Sequence, residues 1–330
     1  MKKIALFAFI VLIINSNFAQ HDHENGHDCT QLHYKDYYQE LEYNLITPTG
    51  TISGTLIPGD SIKATPVVLI IPGSGPTDRN GNSPLGVEAN TYKMISFSLA
   101  DAGIASIKYD KRGINASRDA MVSESALTFD TYVNDVVLWI MKIKKDKRFN
   151  KIYILGHSEG SLIGILAAQK IKVDGFISVS GIGRRMDVVL KEQLKSQLPI
   201  NLMIKSNMIL DSLLAGKTVT NVDKNLMSLY RPSIQPYMIS WLKYDPMIEI
   251  GKLKTRVLII QGTTDIQVTP EDAKILASGK KRAKLVIVEK MNHVLKESII
   301  DRPENMATYT NPVLPLKPEL MEEILLFIKK

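Results

Sequence analysis

Six short stretches of the chain are apolar at almost every position, and they recur between amphipathic segments. They span 66–71, 104–107, 152–155, 176–179, 257–260 and 285–288. Short apolar runs without alternation are typical of strands that are buried on both faces of a parallel sheet. The pattern therefore predicts a sheet that is covered on both sides.

Helical periodicity fills most of the intervals between these strands. The predicted helices span 91–102, 129–147, 162–170, 270–277 and 318–328. Upstream, 40–46 and 50–56 predict two antiparallel strands joined by a turn over 47–50. Strands that alternate with helices pack as an open sheet between helical layers. The sequence thus predicts an α/β fold with a mostly parallel eight-stranded sheet flanked by helices.

One long segment, 183–245, carries no strand pattern and is rich in methionine, leucine and isoleucine. We expect a helical cap there, inserted into a core formed by 39–182 and 246–330. Methionine fills irregular apolar surfaces, so Met203, Met208 and Met227 are candidates for lining a substrate pocket. Simple packing between the cap helices is the alternative for each of them.

The N-terminus has the pattern of a secretory signal peptide. Lys2 and Lys3 precede an apolar run over 4–14, and the small Ala19 follows. The run is shorter than the roughly 20 residues that a transmembrane helix needs. We expect cleavage after residue 19, a flexible segment over 20–38, and a periplasmic or secreted protein without stable membrane insertion; a retained anchor is the alternative.

Composition narrows the class of protein. The chain is 45% hydrophobic and 23% charged, which is ordinary for a globular protein. Its net charge of +7 falls to +5 without Lys2 and Lys3, and the remaining basic residues are scattered. A nucleic-acid surface would cluster its charge, so we expect no nucleic-acid partner. Oligomeric state is left open.

Cysteine and histidine usage bears on disulfides and metals. Cys29 is the only cysteine, so no intrachain disulfide can form. The residues around it that resemble metal ligands are His21, Asp22, His23, His27 and Asp28. They fall in the flexible N-terminal segment, where adventitious binding or none is expected. We predict no metal and no cofactor.

The segment 156–160 has the pattern G-x-S-x-G between a predicted strand and a predicted helix. A sharp turn there projects the hydroxyl of Ser158 away from the backbone, and small flanking residues leave room for it. The nitrogens at the helix start then face any anion that forms beside the hydroxyl. Ser158 is therefore the predicted nucleophile, with a structural glycine-rich turn as the alternative.

A serine nucleophile needs a base and an acid that orients it. Of the six histidines, four precede the core strands and His157 lies inside the turn, which leaves His293 after the last predicted strand. Asp265 follows the strand before it, which gives the order nucleophile, acid, histidine. Asp245 and Asp272 are the competitors.

Acyl transfer also needs donors for the oxyanion of the tetrahedral intermediate. The backbone N–H of Glu159, next to the nucleophile, should supply one. The glycine-rich loop after the strand 66–71 should supply the other. We assign it to Ser74, with Gly73 and Gly75 as alternatives.

Several ordered motifs resemble the bacterial α/β-hydrolases of the serine aminopeptidase-like S33 group, and within it the esterases. They are 71–82 (Ile-Pro-Gly-Ser-Gly-Pro-Thr-Asp-Arg-Asn-Gly-Asn), 109–113 (Tyr-Asp-Lys-Arg-Gly), 156–160 (Gly-His-Ser-Glu-Gly) and 292–293 (Asn-His). The resemblance covers the chain from about Leu41 onward. It implies carboxylesterase activity on short acyl esters without a cofactor, and a cap that shapes the acyl pocket. Asn80 stands where these relatives usually have Asp.

We therefore expect an exported serine hydrolase that cleaves small-molecule esters with short to medium acyl chains through an acyl-enzyme. A peptidase, thioesterase or acyltransferase on the same triad is the first alternative. A non-catalytic binding protein with this fold is the second.

Overall fold

A computed structural model describes residues 38–60, 63–195 and 197–330. The predicted signal peptide over 1–19 and the residues around Cys29 lie outside this part of the chain. Within it, no helix is both long and apolar enough to cross a bilayer, and no group of three or more metal-binding side chains occurs.

The described residues contain ten strands: β1 (Leu41–Glu42), β2 (Leu45–Thr47), β3 (Gly50–Ile52), β4 (Gly54–Ile57), β5 (Thr65–Ile71), β6 (Ala105–Tyr109), β7 (Phe149–His157), β8 (Gly175–Val179), β9 (Arg256–Gly262) and β10 (Lys284–Val288). Eight of them form one sheet in the order β1-β4-β6-β5-β7-β8-β9-β10, while β2 and β3 form a separate pair. In the large sheet the pairs β1–β4 and β4–β6 are antiparallel, and all other neighbouring pairs are parallel. The predicted fold class is confirmed.

Eleven α-helices occur in the described part of the chain: α1 (Thr91–Asp101), α2 (Phe129–Lys145), α3 (Glu159–Lys170), α4 (Met186–Lys195), α5 (Ile200–Leu214), α6 (Met227–Tyr230), α7 (Gln235–Leu242), α8 (Pro246–Gly251), α9 (Pro270–Ser278), α10 (Arg302–Ala307) and α11 (Pro318–Lys329). Short 3₁₀ helices span Asn115–Ala120, Glu124–Ala126, Lys224–Leu226, Pro232–Ile234 and Thr308–Thr310. One large apolar cluster joins the sheet to α2, α3 and the helices between β8 and β9. A second joins it to α1 and α11 on the opposite face.

The N-terminal hairpin differs from the prediction because each of its two strands is interrupted. The turn pairs Thr47 with Gly50 as expected, but the ladder breaks at Ser53. There the backbone N–H donates to the hydroxyl of Ser117 at 2.8 Å, and the carbonyl accepts from the N–H of Asp110 at 3.0 Å. Because both partners of Ser53 lie outside the hairpin, β1 and β4 join the large sheet, whereas β2 and β3 at the tip of the hairpin form a separate pair.

The segment between β8 and β9 is helical. Among the described residues of 183–245 there is no strand. The segment contains α4 to α7, and their buried side chains belong to the same apolar cluster as the sheet. The division of the chain into a core and a cap at these boundaries remains a prediction.

Lys296 is a buried lysine in the loop after β10. Its residue is 0% exposed, and Nζ donates to the carbonyl oxygen of Leu314 and lies 2.9 Å from the sulfur of Met94. Among the described residues, no carboxylate forms an ion pair with it. Burial lowers the pKa of Lys296 from 10.5 to about 8, because the charged form loses its hydration.

The lowered pKa of Lys296 predicts that the free energy of unfolding depends on pH. Between pH 8 and 10.5 the unfolded chain still holds a proton that the folded protein has released, so stability rises with pH. Relative to Lys296→Met, the wild-type protein should gain about 2–3 kcal/mol of unfolding free energy across that window. Chemical denaturation of the wild-type protein and of Lys296→Met at pH 7, 8.5 and 10 measures this difference in unfolding free energy. Lys145→Met, a change at an exposed lysine, serves as the matched control. A difference between the wild-type protein and Lys296→Met that stays constant across this pH range would contradict the expectation.

Candidate active site

Ser158 lies in a tight turn between β7 and α3. Its backbone adopts φ 54° and ψ −121°, a conformation that costs energy in a non-glycine residue and is typical of a nucleophile elbow. The turn passes close to β5: a Cβ at Gly160 would lie 2.4 Å from the carbonyl oxygen of Ile71. Glycine is therefore required at that position for the turn to reach the sheet edge.

Asp265 and His293 meet in the loops that follow β9 and β10. These strands are parallel neighbours, with Gly262 opposite Val288, so their carboxyl ends open onto the same edge. Nδ1 of His293 lies 2.8 Å from Oδ2 of Asp265, and both residues are buried. The structure thus brings the two side chains together.

The carboxylate of Asp265 is held by several donors. Its Oδ1 accepts the backbone N–H groups of Gln267 and Val268 at 2.8 and 2.9 Å, and Oδ2 also accepts from the side chain of Gln261. Burial by itself would raise the pKa of Asp265, but the neighbouring His293 and these N–H groups outweigh it and lower the pKa below its usual value. A carboxylate held ionised in this way can accept a hydrogen bond from Nδ1–H of His293.

The two competing aspartates have other partners. Asp245 caps α8 by accepting the N–H of Met247 at 3.0 Å. Asp272 accepts two hydrogen bonds from the guanidinium of Arg184, at 2.9 and 3.0 Å. These contacts give both residues structural roles away from His293.

His157, which the sequence offered only as a member of the turn motif, connects three parts of the site. Its Nε2 lies 2.9 Å from the carbonyl oxygen of His293, and its Nδ1 lies 2.8 Å from the hydroxyl of Tyr92. A carbonyl can only accept, so Nε2 carries the proton and the Tyr92 hydroxyl donates to Nδ1. That hydroxyl accepts the N–H of Gly73 at 2.9 Å.

Burial lowers the pKa of His157 to about 3, with a further contribution from His293. The ring is therefore neutral near pH 7 and keeps one donor and one acceptor. Tyr92 and His157 link the loop after β5 to the loop that carries His293. Sequence reasoning missed both residues, because Tyr92 fits the apolar pattern of α1 and no local motif marks the pairing.

The two predicted oxyanion donors follow neighbouring strands: Ser74 lies in the loop after β5, and Glu159 begins α3 after β7. β5 and β7 are parallel, with Ile71 opposite Gly156, so the loop 72–76 begins beside the turn at Ser158. Among the described residues, neither the N–H of Ser74 nor that of Glu159 has a backbone or side-chain acceptor. Of the two residues, Ser74 lines the cleft that contains Ser158.

A small cleft of about 80 Å³ opens at Ser158 and His293. Its wall comes from the loop 73–87, from Tyr92, and from Gln267, Val294 and Tyr309. Within the described chain, no aspartate or glutamate lines it. The cap methionines do not line it either, and Met208 and Met227 are 65% and 41% exposed. The structure therefore does not bring Met203, Met208 and Met227 together with the other predicted site residues.

A mostly parallel sheet with a serine turn after one strand, and an aspartate–histidine pair after the last two, defines an α/β-hydrolase. The chain matches the serine aminopeptidase S33 family over residues 85–297. It belongs to that family.

Individual relatives agree with this assignment. Esterase EstD from Thermotoga maritima is 27% identical over 282 residues, which cover 81% of this chain and 63% of that protein. This chain therefore spans a little under two thirds of the length of that relative. Among solved structures, Est1E from Butyrivibrio proteoclasticus is 17% identical with a TM-score of 0.56, over 87% of this chain and 98% of that one.

A peptidase shares the fold as well. The acylaminoacyl peptidase from Pyrococcus horikoshii is 14% identical with a TM-score of 0.54, over 89% of this chain and 41% of that protein. The likeness to both solved structures concerns the fold, and the fold hosts more than one hydrolytic reaction. The choice between an esterase and a peptidase therefore depends on the residues of the site.

Proposed function

We propose that this protein is a carboxylesterase with Ser158 as nucleophile, His293 as general base and Asp265 as the orienting acid. The observation that carries the proposal is the 2.8 Å contact between His293 and Asp265 at a cleft that also contains the strained turn of Ser158. The similarity to an esterase over 81% of the chain supports the ester as substrate.

In the proposed reaction, Oγ of Ser158 attacks the acyl carbon while its proton passes to Nε2 of His293. The carbonyl oxygen of the ester becomes an oxyanion, which the N–H groups of Ser74 and Glu159 stabilise. His293 then gives the proton to the departing alcohol, and an acyl-enzyme remains. A water molecule, deprotonated by His293, attacks the acyl carbon, and His293 returns the proton to Oγ of Ser158 as the acid is released.

The charges around the cleft favour an ester over a substrate with a free amine. An aminopeptidase needs a carboxylate near the bound ammonium group, and in the described part of the chain no acidic residue lines the cleft. Four of the five acidic residues of the predicted cap have basic partners instead: Glu192 contacts Arg184, Asp211 contacts Lys191 and Asp223 contacts Lys205, each at 2.7 Å, and Asp187 contacts Arg185 at 2.6 Å. These four carboxylates are already neutralised.

A side-by-side assay tests this preference. We expect kcat/KM for p-nitrophenyl acetate to exceed that for alanine p-nitroanilide and for acetyl-coenzyme A by at least about 10², since a hydrophobic site that lacks an amine partner discriminates against a charged group. Ser158→Ala gives the background rate for each substrate. Faster turnover of the anilide or the thioester would favour the corresponding alternative.

We further propose that the cleft accepts acyl chains of about two to eight carbons, because each buried methylene contributes about 0.8 kcal/mol until the space is filled. Leu85 and Val87 are half-buried apolar residues of its wall. In a series of p-nitrophenyl esters, Leu85→Ala should shift the optimum towards longer chains. The matched control is Met208→Ala, a change on the exposed face of α5. If Met208→Ala shifts the optimum and Leu85→Ala does not, the cap methionines form the acyl pocket.

We also propose that residues 1–19 direct export of the protein. The basic pair Lys2–Lys3 followed by an apolar run supports this. Expression of the full chain in a Gram-negative host, with N-terminal sequencing of the periplasmic fraction, tests it. Retention of residue 1 in the membrane fraction would favour the anchor.

A further inference from the structure

Lys111 lies buried beside the loop that follows β5, and the reaction proposed above gives it no role. Its side chain is 1% exposed. Nζ donates to the carbonyl oxygen of Gly73 at 2.6 Å and to Oε2 of Glu159 at 3.1 Å. Removing an ammonium group from water costs several kcal/mol before its partners offset it. Its placement against a backbone carbonyl of the oxyanion loop therefore suggests a functional reason.

The contact with Gly73 fixes the peptide that joins it to Ser74. The described residues contain no cis peptide bond, so the Gly73 carbonyl and the Ser74 N–H point in opposite directions. On the other side of Gly73, its own N–H donates to Tyr92. The loop is also close to the nucleophile, because a Cβ at Gly73 would lie 3.3 Å from Cβ of Ser158. Two anchors thus hold the Ser74 N–H, with Lys111 on the carbonyl side.

The counter-ion of Lys111 belongs to the residue that carries the second donor. Glu159 is as buried as Lys111, and its other oxygen accepts the hydroxyl of Tyr237 on α7. Nζ of Lys111 also lies 5.1 Å from the ring centroid of Tyr132. One buried ion pair therefore connects both oxyanion donors with a helix of the predicted cap.

We propose that Lys111 is a positioning residue of the oxyanion hole, with Glu159 as its counter-ion. This inference rests on the proposed esterase reaction. A cation bonded to the Gly73 carbonyl polarises the peptide, which strengthens the Ser74 N–H as a donor. In a buried, preorganised site this benefit grows with the charge on the substrate oxygen. The added stabilisation should therefore lower the free energy of the transition state and leave the binding of the substrate nearly unchanged.

The test compares Lys111→Met with Lys108→Met. Lys108 lies three residues earlier, is also 1% exposed, and donates to Asn80 at 2.7 Å and to Glu40 at 3.2 Å. Three quantities are measured: melting temperature, kcat and KM for p-nitrophenyl acetate, and inhibition by an alkyl trifluoromethyl ketone. In the inhibitor complex, Ser158 Oγ bonds to the ketone carbon, its proton moves to His293, and the ketone oxygen becomes an anion in the oxyanion hole.

For Lys111→Met we expect kcat to fall by about 10–10² with KM nearly unchanged, and the affinity for the fluoroketone to fall by the same factor. Lys108→Met should lose thermal stability but keep kcat and fluoroketone affinity within about twofold, as expected for a change outside the site. Equal kcat and equal inhibition in the two variants would overturn the proposal.

Two further results lead to separate conclusions: Lys111→Met does not fold, or the wild-type protein is inactive. If Lys111→Met does not fold, the double variant Lys111→Met with Glu159→Gln removes both buried charges, and fluoroketone affinity equal to that of the wild type would then overturn the proposal. If the wild-type protein neither hydrolyses the ester nor binds the fluoroketone, the proposed function itself fails and this inference fails with it. A functional wild type without selective loss in Lys111→Met refutes this inference alone.

Discussion

Ser158→Ala is expected to lower the turnover of p-nitrophenyl acetate by at least about 10³, because in the proposed reaction the acyl-enzyme forms on the hydroxyl of Ser158. The residual rate should be that of a site that still binds and polarises the ester. Steady-state kinetics with the purified variant measure the loss. The melting temperature should change little, since the substitution removes one oxygen from a turn that the backbone already defines.

A second serine nearby provides the matched control. Ser161 lies three residues further along α3, and its hydroxyl is paired with that of Ser178 at 2.7 Å. Ser161→Ala should therefore keep turnover close to the wild-type rate. Loss of activity in Ser161→Ala with retention in Ser158→Ala would show that the nucleophile is assigned to the wrong serine.

Asp265→Asn is expected to fold normally and to lose about 10²–10⁴ in turnover. The oxygen of the new amide can still accept from Gln267 and Val268. Its NH₂ group would then face Nδ1 of His293 and donate to it, which moves the imidazole proton to Nε2. In that tautomer the ring cannot accept the proton of Ser158.

Asp245→Asn and Asp272→Asn are the controls, because each aspartate has its own structural partner. Both variants should retain turnover, and Asp272→Asn should lower the melting temperature through its weakened contact with Arg184. If Asp245→Asn or Asp272→Asn lost activity while Asp265→Asn kept it, the assignment of the acid would be wrong.

The central sheet was predictable because its strands are apolar on both faces. The run 66–71, for example, is part of β5 (Thr65–Ile71), and the neighbouring predicted strands also lie within a few residues of those observed. The interrupted hairpin was not predictable in the same way. Its ladder breaks at Ser53 because the partner hydroxyl belongs to Ser117, 64 residues away, and no local pattern encodes that contact.

Contacts between residues that are distant in sequence also limit what could be predicted of the site. The turn at Ser158 and the order of Asp265 and His293 follow from local motifs and their places after strands. The bonds of His157 do not, because its partners Tyr92 and His293 are 65 and 136 residues away. The buried pair of Lys111 and Glu159 is also invisible in sequence, where lysine and glutamate normally indicate solvent exposure. Sequence thus predicts the reacting groups better than the groups that hold them in place.

Labelling of the wild-type protein with a fluorophosphonate probe, followed by mass spectrometry to locate the adduct, tests the role of Ser158 most directly. We expect one probe per chain, attached to Ser158 in the tryptic peptide 152–170, with no adduct in Ser158→Ala and normal labelling of Ser161→Ala. A probe attached to another residue, or undiminished labelling of Ser158→Ala, would contradict the claim that Ser158 is the nucleophile of a serine hydrolase.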